Sequence, residues 1–243
     1  MPQMTETASA PQPLDMLDAY ANPSSRATPI MLTISTPLGP VHGLWRPSSR
    51  THAAVLLLPG RDGALSGPAS LYTQLAPALQ RVAGVAQLGY RLPGSLADCR
   101  ACILDALDAF SQQGIERVAL IGWDFGGAVA IAAGAQSPLV TGVACLAPDR
   151  SASEAIAGIG TRRLLIAHGS ADTVIPQSVS ILLHTQTSHP TELALYPQET
   201  HDFIRYRAAI LQRLILWTST LLRTPFKPGR PPGSRRLPAL TAR

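Results

Sequence analysis

Apolar residues follow two different periods along the chain, and the two kinds of segment alternate from about residue 30 to residue 222. Continuous apolar runs such as AAVLLLP (53–59) and RVALIG (117–122) predict strands that are buried on both faces. A segment with an apolar residue every three or four positions, LADCRACILDALDAF (96–110), predicts an amphipathic helix. The predicted strands are 30–36, 41–47, 53–59, 84–91, 117–122, 140–148, 162–169 and 191–197, and the predicted helices are about 69–81, 95–113, 125–135, 151–158, 177–186 and 202–222.

This alternation predicts an α/β fold. Strands that are separated by helices are joined by crossover connections, which place successive strands parallel and helices on both faces of the sheet. The first two strands flank the turn signal Pro37-Leu38-Gly39, which predicts a hairpin and therefore an antiparallel edge. The sequence thus predicts a mostly parallel sheet of eight strands.

Length and composition indicate one large domain with a segment on either side. Hydrophobic residues make up 46% of the 243 residues and charged residues 14%, which provides enough apolar surface for a sizeable core. We expect a flexible leader over residues 1–27, the domain over 28–222, and a disordered, basic, Pro-rich tail over 223–243. The net charge of +5 comes from this tail, because residues 1–222 carry 14 basic and 15 acidic side chains. Such a basic tail could touch acidic lipid or nucleic acid, but its Pro and Gly content favours a solvated extension, so we expect neither nucleic acid nor a membrane as a partner.

The cysteines and the N-terminal sequence favour a cytoplasmic protein. Three cysteines are too few for a disulfide framework. Cys99 and Cys102 have metal-ligand or redox spacing, but no second pair accompanies them, and they are interpreted as two buried or half-buried residues on one face of the predicted helix. The N-terminal residues lack the basic and apolar regions of a signal peptide, and no run of about 18 apolar residues could span a membrane. No metal-ligand cluster, dinucleotide motif or phosphate loop is present, so we expect neither a metal nor a cofactor.

The segment IGWDFGGAVA (121–130) carries the first chemical signal. It joins a predicted strand to a helix of small residues through a Gly-x-nucleophile-x-Gly turn, and Asp124 occupies the apex, where serine or cysteine is usual. The apex lies at the positive end of a helix dipole, which favours an anion.

Two further candidates follow the ends of later strands. Asp172 follows LLIAHGSA and His201 follows ELALYPQET, so both are expected at the carboxyl edge of the sheet, where active sites of open parallel sheets lie. Taken singly, Asp172 could cap a helix and His201 could cap the long final helix. His168 is interpreted as part of the turn before Asp172 and as structural.

The three motifs GWDFGG, HGSADTVIP and YPQETHDF, in the order nucleophile, acid and histidine, resemble those of the α/β-hydrolases. Because only 12 residues (150–161) separate ACLAPD from RRLLIAHG, there is no room for a cap domain, and the chain resembles the small dienelactone hydrolases. Their elbow reads Gly-x-Cys-x-Gly-Gly, so Asp124 replaces the cysteine.

The resemblance implies a role for each candidate. Asp124, Asp172 and His201 would be catalytic, with Asp172 orienting His201. The oxyanion hole would use the backbone N–H groups of Phe125 and Arg61. Alternatively, the side chain of Arg61 could pair with Asp62 or with Asp124.

The carboxylate at the elbow leaves three functions open. A carboxylate that attacks an ester carbonyl must expel a far more basic alkoxide, whereas attack on saturated carbon gives an alkyl ester that water can cleave. The first hypothesis is a hydrolase acting on a small ester-like or electrophilic substrate, with Asp124 as nucleophile or base. The second is a non-catalytic ligand-binding homologue. The third is a capless dehalogenase or epoxide hydrolase, in which Tyr90, Arg91 or Arg61 would supply the missing donor.

Overall fold

The computed structural model describes residues 28–48, 52–187, 189 and 191–223, and its strands form one sheet. The eight strands are β1 (Ile30–Ile34), β2 (Val41–Arg46), β3 (Ala53–Leu58), β4 (Gly84–Leu88), β5 (Arg117–Trp123), β6 (Val140–Leu146), β7 (Arg163–Gly169) and β8 (Glu192–Tyr196). Their order is β1-β2-β4-β3-β5-β6-β7-β8. The β1–β2 and β2–β4 pairs are antiparallel, and all other pairs are parallel. The predicted sheet, with its antiparallel edge, is confirmed.

Five α-helices cover the two faces of this sheet. They are α1 (Leu71–Leu79), α2 (Leu96–Gln112), α3 (Phe125–Gln136), α4 (Ser178–Thr185) and α5 (Arg207–Arg223). Helices α2, α3 and α4 pack on one face, whereas α1 and α5 pack together on the other. Strands β3 and β6 are buried at every residue, which explains why their sequences are continuous apolar runs.

Several predicted elements have different ends or a different type. The strand that follows α1 ends at Leu88 rather than at residue 91, and α1 itself is preceded by a 3-10 turn, Pro68–Ser70. The helix predicted near 151–158 is a pair of 3-10 segments, Arg150–Glu154 and Ile156–Ile159. Because the stretch 147–162 is described throughout and contains only these two segments, β6 is joined to β7 without a cap domain.

The predicted leader (1–27) and the tail beyond Arg223 lie outside the described residues. The domain boundaries at 28 and 222 therefore stay predictions. None of the described helices is long and apolar enough to cross a membrane.

The turn between β5 and α3 brings backbone segments into very close contact at the carboxyl edge of the sheet. A Cβ atom on Gly122 would lie 2.0 Å from the carbonyl oxygen of Gly126, and a Cβ atom on Gly126 would lie 2.3 Å from that of Pro59. Both positions therefore exclude any side chain. Between them, Asp124 has φ 55° and ψ −125°, and its N–H donates to Leu146 O at 2.9 Å. The strain of a positive φ at a non-glycine residue is held by this packing.

The variant Gly122→Ala should lose about 3 kcal/mol or more of its free energy of unfolding, since its methyl group collides with backbone atoms that cannot rotate away. The matched control is Gly114→Ala, at φ +81° with ample space around its Cβ position. The control should lose only about 1 kcal/mol, from backbone strain alone. Chemical denaturation of both variants measures the difference, and equal losses would contradict the close approach at the elbow.

Candidate active site

Asp172 is the most completely bonded of the candidate residues. It follows β7, and its side chain is fully buried. Its Oδ1 accepts hydrogen bonds from Val174 N (2.8 Å) and Ile175 N (2.9 Å). Its Oδ2 lies 2.7 Å from His201 Nδ1 and 3.2 Å from His168 Nε2. Burial alone would raise the pKa of Asp172, but these donors outweigh it and hold the pKa well below its usual range.

His201 lies in the loop between β8 and α5, and three contacts fix its position. The Asp172 carboxylate accepts the Nδ1 hydrogen, so Nε2 is left as the basic nitrogen. Trp123 Nε1 donates to the backbone oxygen of His201 at 3.1 Å, and the two rings lie 5.1 Å apart. Burial acts to lower the pKa of His201, but the hydrogen bond and charge of Asp172, with the charges of Asp124 and Asp202, raise it overall.

Glu199 organises the loop that carries His201. Its buried carboxylate accepts hydrogen bonds from Thr200 N (2.9 Å), Arg205 N (3.2 Å) and Tyr206 N (2.5 Å). The loop is therefore wrapped around one side chain immediately before α5 begins at Arg207. Glu199 was not among the residues predicted from the sequence, although an acidic residue just before a helix is a recognisable capping signal.

The predicted oxyanion-hole residues lie beside the elbow. The backbone N–H of Arg61 donates to Asp124 Oδ2 at 3.2 Å. Gly60 makes this possible, because a Cβ there would lie 3.1 Å from the same oxygen and 2.9 Å from the Trp123 ring. Phe125 begins α3, so its N–H is among the helix amides that have no partner within the helix.

The side chain of Arg61 pairs with neither of the carboxylates considered from the sequence. Its Nη2 lies 3.0 Å from Asp149 Oδ2, and its guanidinium lies 4.5 Å from the centre of the Phe125 ring. The Asp62 carboxylate instead accepts Ala64 N at 3.1 Å. Asp149 was not predicted, although it follows β6 as Asp124 follows β5, and a carboxylate just after a buried strand is the signal that could have identified it.

Two of the donors considered for a dehalogenase are engaged elsewhere. Arg91 forms an ion pair with Asp105 at 3.0 Å and a hydrogen bond with Thr36 Oγ1 at 2.5 Å. The Tyr90 hydroxyl donates to Pro59 O at 3.0 Å, and its ring packs edge-on against Phe125. Both contacts support the strand-end loops.

A cleft of about 410 Å³ lies beyond the loops that carry Asp149 and Asp172, and Asp124, Asp172 and His201 are not among its lining residues. Its walls come from the loop after β6, which includes Asp149, and from the loop after Asp172. The lining residues are Asp149, Arg150, Ser151, Val174, Ile175, Pro176 and Val179. The cleft is apolar on the β7 side, where Val174 is 66% exposed.

All three thiols are buried, and none of them occupies the elbow position. Cys99 and Cys102 lie on the inner face of α2, as predicted, and Cys145 on β6 donates toward Gly127 O at 3.5 Å. Burial raises the pKa of all three thiols, to about 11 for Cys99. Within the described residues, no group of three or more His, Cys, Asp or Glu residues could hold a metal ion.

This sheet, with its elbow after β5, an acid after β7 and a histidine after β8, defines an α/β-hydrolase fold. The sequence profile of the dienelactone hydrolase family matches residues 84–213, and the chain belongs to that family. The predicted enzyme class, a hydrolase of the α/β-hydrolase superfamily, is confirmed at this level.

Solved structures share the fold at low identity. A dienelactone hydrolase from Anabaena variabilis is 18% identical, with a TM-score of 0.71 over 81% of this chain and 100% of that one. Est1E from Butyrivibrio proteoclasticus is 12% identical, with a TM-score of 0.69 over 80% and 99%. The esterase domain of a Rhodothermus marinus protein is 16% identical, with a TM-score of 0.66 over 81% and 100%. No curated protein matches the chain.

The variant Asp172→Asn should lose stability in a pH-dependent way. The pKa of Asp172 is depressed, so its contribution to the free energy of unfolding is present above about pH 4 and is lost in acid. The pKa of His201 is raised, so its contribution is present below about pH 6.5 and is lost as the pH rises through the folded pKa. Near pH 5.5 the loss in free energy of unfolding should be about 3–5 kcal/mol, because the substitution leaves the protonated His201 buried without its partner. At pH 9 less of His201 is protonated, so the loss should be smaller.

Guanidinium denaturation at pH 5.5 and pH 9 measures this difference. Asp105→Asn is the control, because Asp105 pairs with Arg91, which stays charged at both values. A loss for Asp172→Asn that does not change between the two values would contradict the ion pair.

Proposed function

We propose that the protein hydrolyses a small electrophilic substrate through a covalent ester on Asp124. Asp124 would be the nucleophile, His201 the base that activates water, and Asp172 the residue that orients His201. The N–H groups of Arg61 and Phe125 would form the oxyanion hole. Membership of the dienelactone hydrolase family supports the hydrolase class and a small-molecule substrate.

The hydrogen bond from Arg61 N to Asp124 Oδ2 carries this proposal. In acyl transfer to serine or cysteine, the oxyanion donors must receive the carbonyl oxygen of the substrate. Here one of those donors already holds an oxygen of the elbow residue. That arrangement suits a reaction in which the negative charge develops on Asp124 itself, namely hydrolysis of an ester formed on its own carboxyl group.

The bonds change in two stages. In the first stage, Asp124 Oδ1 attacks a saturated carbon, and the bond from that carbon to its leaving group breaks with the electron pair going to the leaving group. In the second stage, His201 Nε2 removes a proton from water, and the hydroxide adds to Asp124 Cγ. The charge develops on Oδ2 beside the Arg61 N–H. Collapse then expels the alcohol, which takes the proton from His201. Asp124 is left as a carboxylic acid, and it returns to the carboxylate when its remaining proton passes to the departed leaving group or to water.

The charge of Asp124 couples these two stages. In the free enzyme, the Asp124 carboxylate is one of the charges that raise the pKa of His201. An ester on Asp124 is neutral, so this contribution disappears when the intermediate forms. The pKa of His201 then falls, and its imidazole is more often neutral at the stage that needs a base.

The cleft between the loops after β6 and β7 supports an apolar substrate body. One wall is joined to the elbow, since Asp149 N donates to Asp124 O at 3.3 Å. The other wall is joined to the acid, since Val174 and Ile175 donate to Asp172. A substrate that reaches Asp124 could therefore extend along Val174, Ile175 and Val179.

The second candidate, a binding protein without catalysis, is favoured by the same Arg61 contact. If Asp124 only fills the oxyanion hole, the carboxylate blocks the position that an ester carbonyl would need. The two functions differ in whether Asp124 ever forms a bond to the substrate.

Heavy-oxygen water distinguishes them. Protein that turns over short epoxides or haloalkanes in H₂¹⁸O should gain ¹⁸O in the peptide containing Asp124, because water attacks Cγ rather than the substrate. The peptides containing Asp62 and Asp172 serve as internal controls and should stay unlabelled. Turnover without label on Asp124 would exclude the covalent route, and absence of turnover on the whole panel would favour binding without catalysis.

The variant Asp124→Ser should gain activity on p-nitrophenyl acetate. Serine removes the carboxylate from the Arg61 N–H, which then can serve the substrate oxyanion, and one such donor is worth about 100-fold or more in rate. We expect a rise of about tenfold or more over the parent, lost again in the double variant with His201→Ala. Asp62→Ser is the matched control. No gain would show that the remaining residues do not form a working hydrolase site.

A further inference from the structure

A second histidine contacts the carboxylate that orients His201. His168 lies on β7 and has no exposed surface. Its Nε2 lies 3.2 Å from Asp172 Oδ2 and 2.8 Å from Ile175 O, and its Nδ1 lies 2.6 Å from Ser180 Oγ on α4. Ser180 is also fully buried. From the sequence, His168 is interpreted as structural, and its contact with Asp172 is not predicted.

The partners of His168 determine where its hydrogen lies. Both groups near Nε2, a carbonyl oxygen and a carboxylate oxygen, can only accept, so Nε2 must carry a hydrogen. The Ser180 hydroxyl can donate to Nδ1, which lets the ring stay neutral while every polar atom has a partner. The other neutral tautomer would turn a lone pair toward two oxygens. A charged ring would put a second cation into a fully buried position.

We propose that His168 is a positioning residue that competes with His201 for Oδ2 of Asp172 and so makes His201 easier to deprotonate. The single Nε2 hydrogen of His168 is shared between Ile175 O at 2.8 Å and Asp172 Oδ2 at 3.2 Å. Two donors on one oxygen weaken each other, because each withdraws charge that the other would use. The His168 bond is stronger when His201 is neutral than when it is a cation. It therefore favours the neutral imidazole, which is the form that can act as a base.

The other charges that act on His201 would stay in place if the contact between His168 and Asp172 were lost. His201 is acted on by Asp172, Asp124 and Asp202, and His168 faces Asp172 as its charged neighbour among the described residues. Ser180 is neutral, and its bond to Nδ1 strengthens the Nε2 hydrogen as a donor. A change at position 168 or 180 thus reaches His201 through Asp172 and leaves Asp124 and Asp202 in place.

NMR of ¹⁵N-labelled histidine tests this inference in the full chain without substrate. At pH 7 the ¹⁵N shifts should show His168 as the Nε2–H tautomer, because both groups near Nε2 only accept and Ser180 can donate to Nδ1. A doubly protonated ring, or the Nδ1–H tautomer, would overturn the proposal. Because no substrate is used, this result is independent of whether Asp124 forms a covalent ester.

The titration of His201 gives the second readout. In His168→Leu, which has no donor, the pKa of His201 should rise by about 0.5 to 1 unit, because the Asp172 carboxylate then keeps more of its charge for His201. In His168→Gln, whose amide can still donate to Asp172, the rise should be less than half as large. Ser180→Ala should also give a smaller rise, because His168 stays but is a weaker donor.

A histidine outside this cluster provides the control. His42, which contacts Thr33 through Nδ1, should leave the titration of His201 unchanged when it is replaced by Gln. A purely structural role for His168 would lower the melting temperature of His168→Gln and Ser180→Ala without moving the pKa of His201. That outcome, or a fall in the pKa of His201, would overturn the inference even if His168→Leu fails to fold.

Discussion

The close contact between the elbow and the end of β3 determines the geometry of the candidate site. Gly126 lies so near Leu58 O and Pro59 O that no side chain fits between them. This contact brings the loop that begins at Pro59 alongside the apex residue, and the Arg61 N–H reaches Asp124 for that reason. The positive φ of Asp124 is held by the same packing. Any residue at position 124 would be presented to the same donors.

A carboxylate at this position changes what the donors can do. A serine or cysteine would leave the Arg61 N–H free to bind an oxygen of the substrate, whereas Asp124 places its own Oδ2 against that N–H. The remainder of the arrangement, in which the buried Asp172 carboxylate contacts Nδ1 of His201, would serve either nucleophile. The family provides the frame for hydrolysis, and in the proposed reaction the identity of one side chain decides which carbon atom is attacked by water.

The sequence predicted the sheet and its eight strands because buried parallel strands and the helices between them leave distinct periods. It also predicted that Asp172 and His201 lie at strand ends, and the structure brings them into contact. Element ends were less predictable. The segment near 151–158 has helical spacing, but it is too short for a stable α-helix and forms two 3-10 turns after Asp149, whose side chain accepts Ser151 N.

The contacts that were missed depend on tertiary structure. His168 is four residues before Asp172 in the chain, and only the turn after β7 brings its Nε2 onto the same carboxylate oxygen as His201. The pairing of Arg61 with Asp149 joins residues 88 positions apart, whereas the sequence offered Asp62 and Asp124 as nearer partners. Such pairings depend on which loops meet at the sheet edge, and hydrophobic periodicity carries no information about them.

The burial of all three thiols also has a practical consequence. Cys145, on β6, lies beneath the first turn of α3, with its sulfur directed at Gly127 O, and Cys99 and Cys102 are covered by the packing of α2. Protonated, enclosed sulfur atoms react slowly with alkylating agents. Iodoacetamide, which inactivates enzymes with a cysteine at the elbow, should therefore spare the folded chain. The rate at which iodoacetamide labels the three cysteines would instead report how often the helices separate from the sheet.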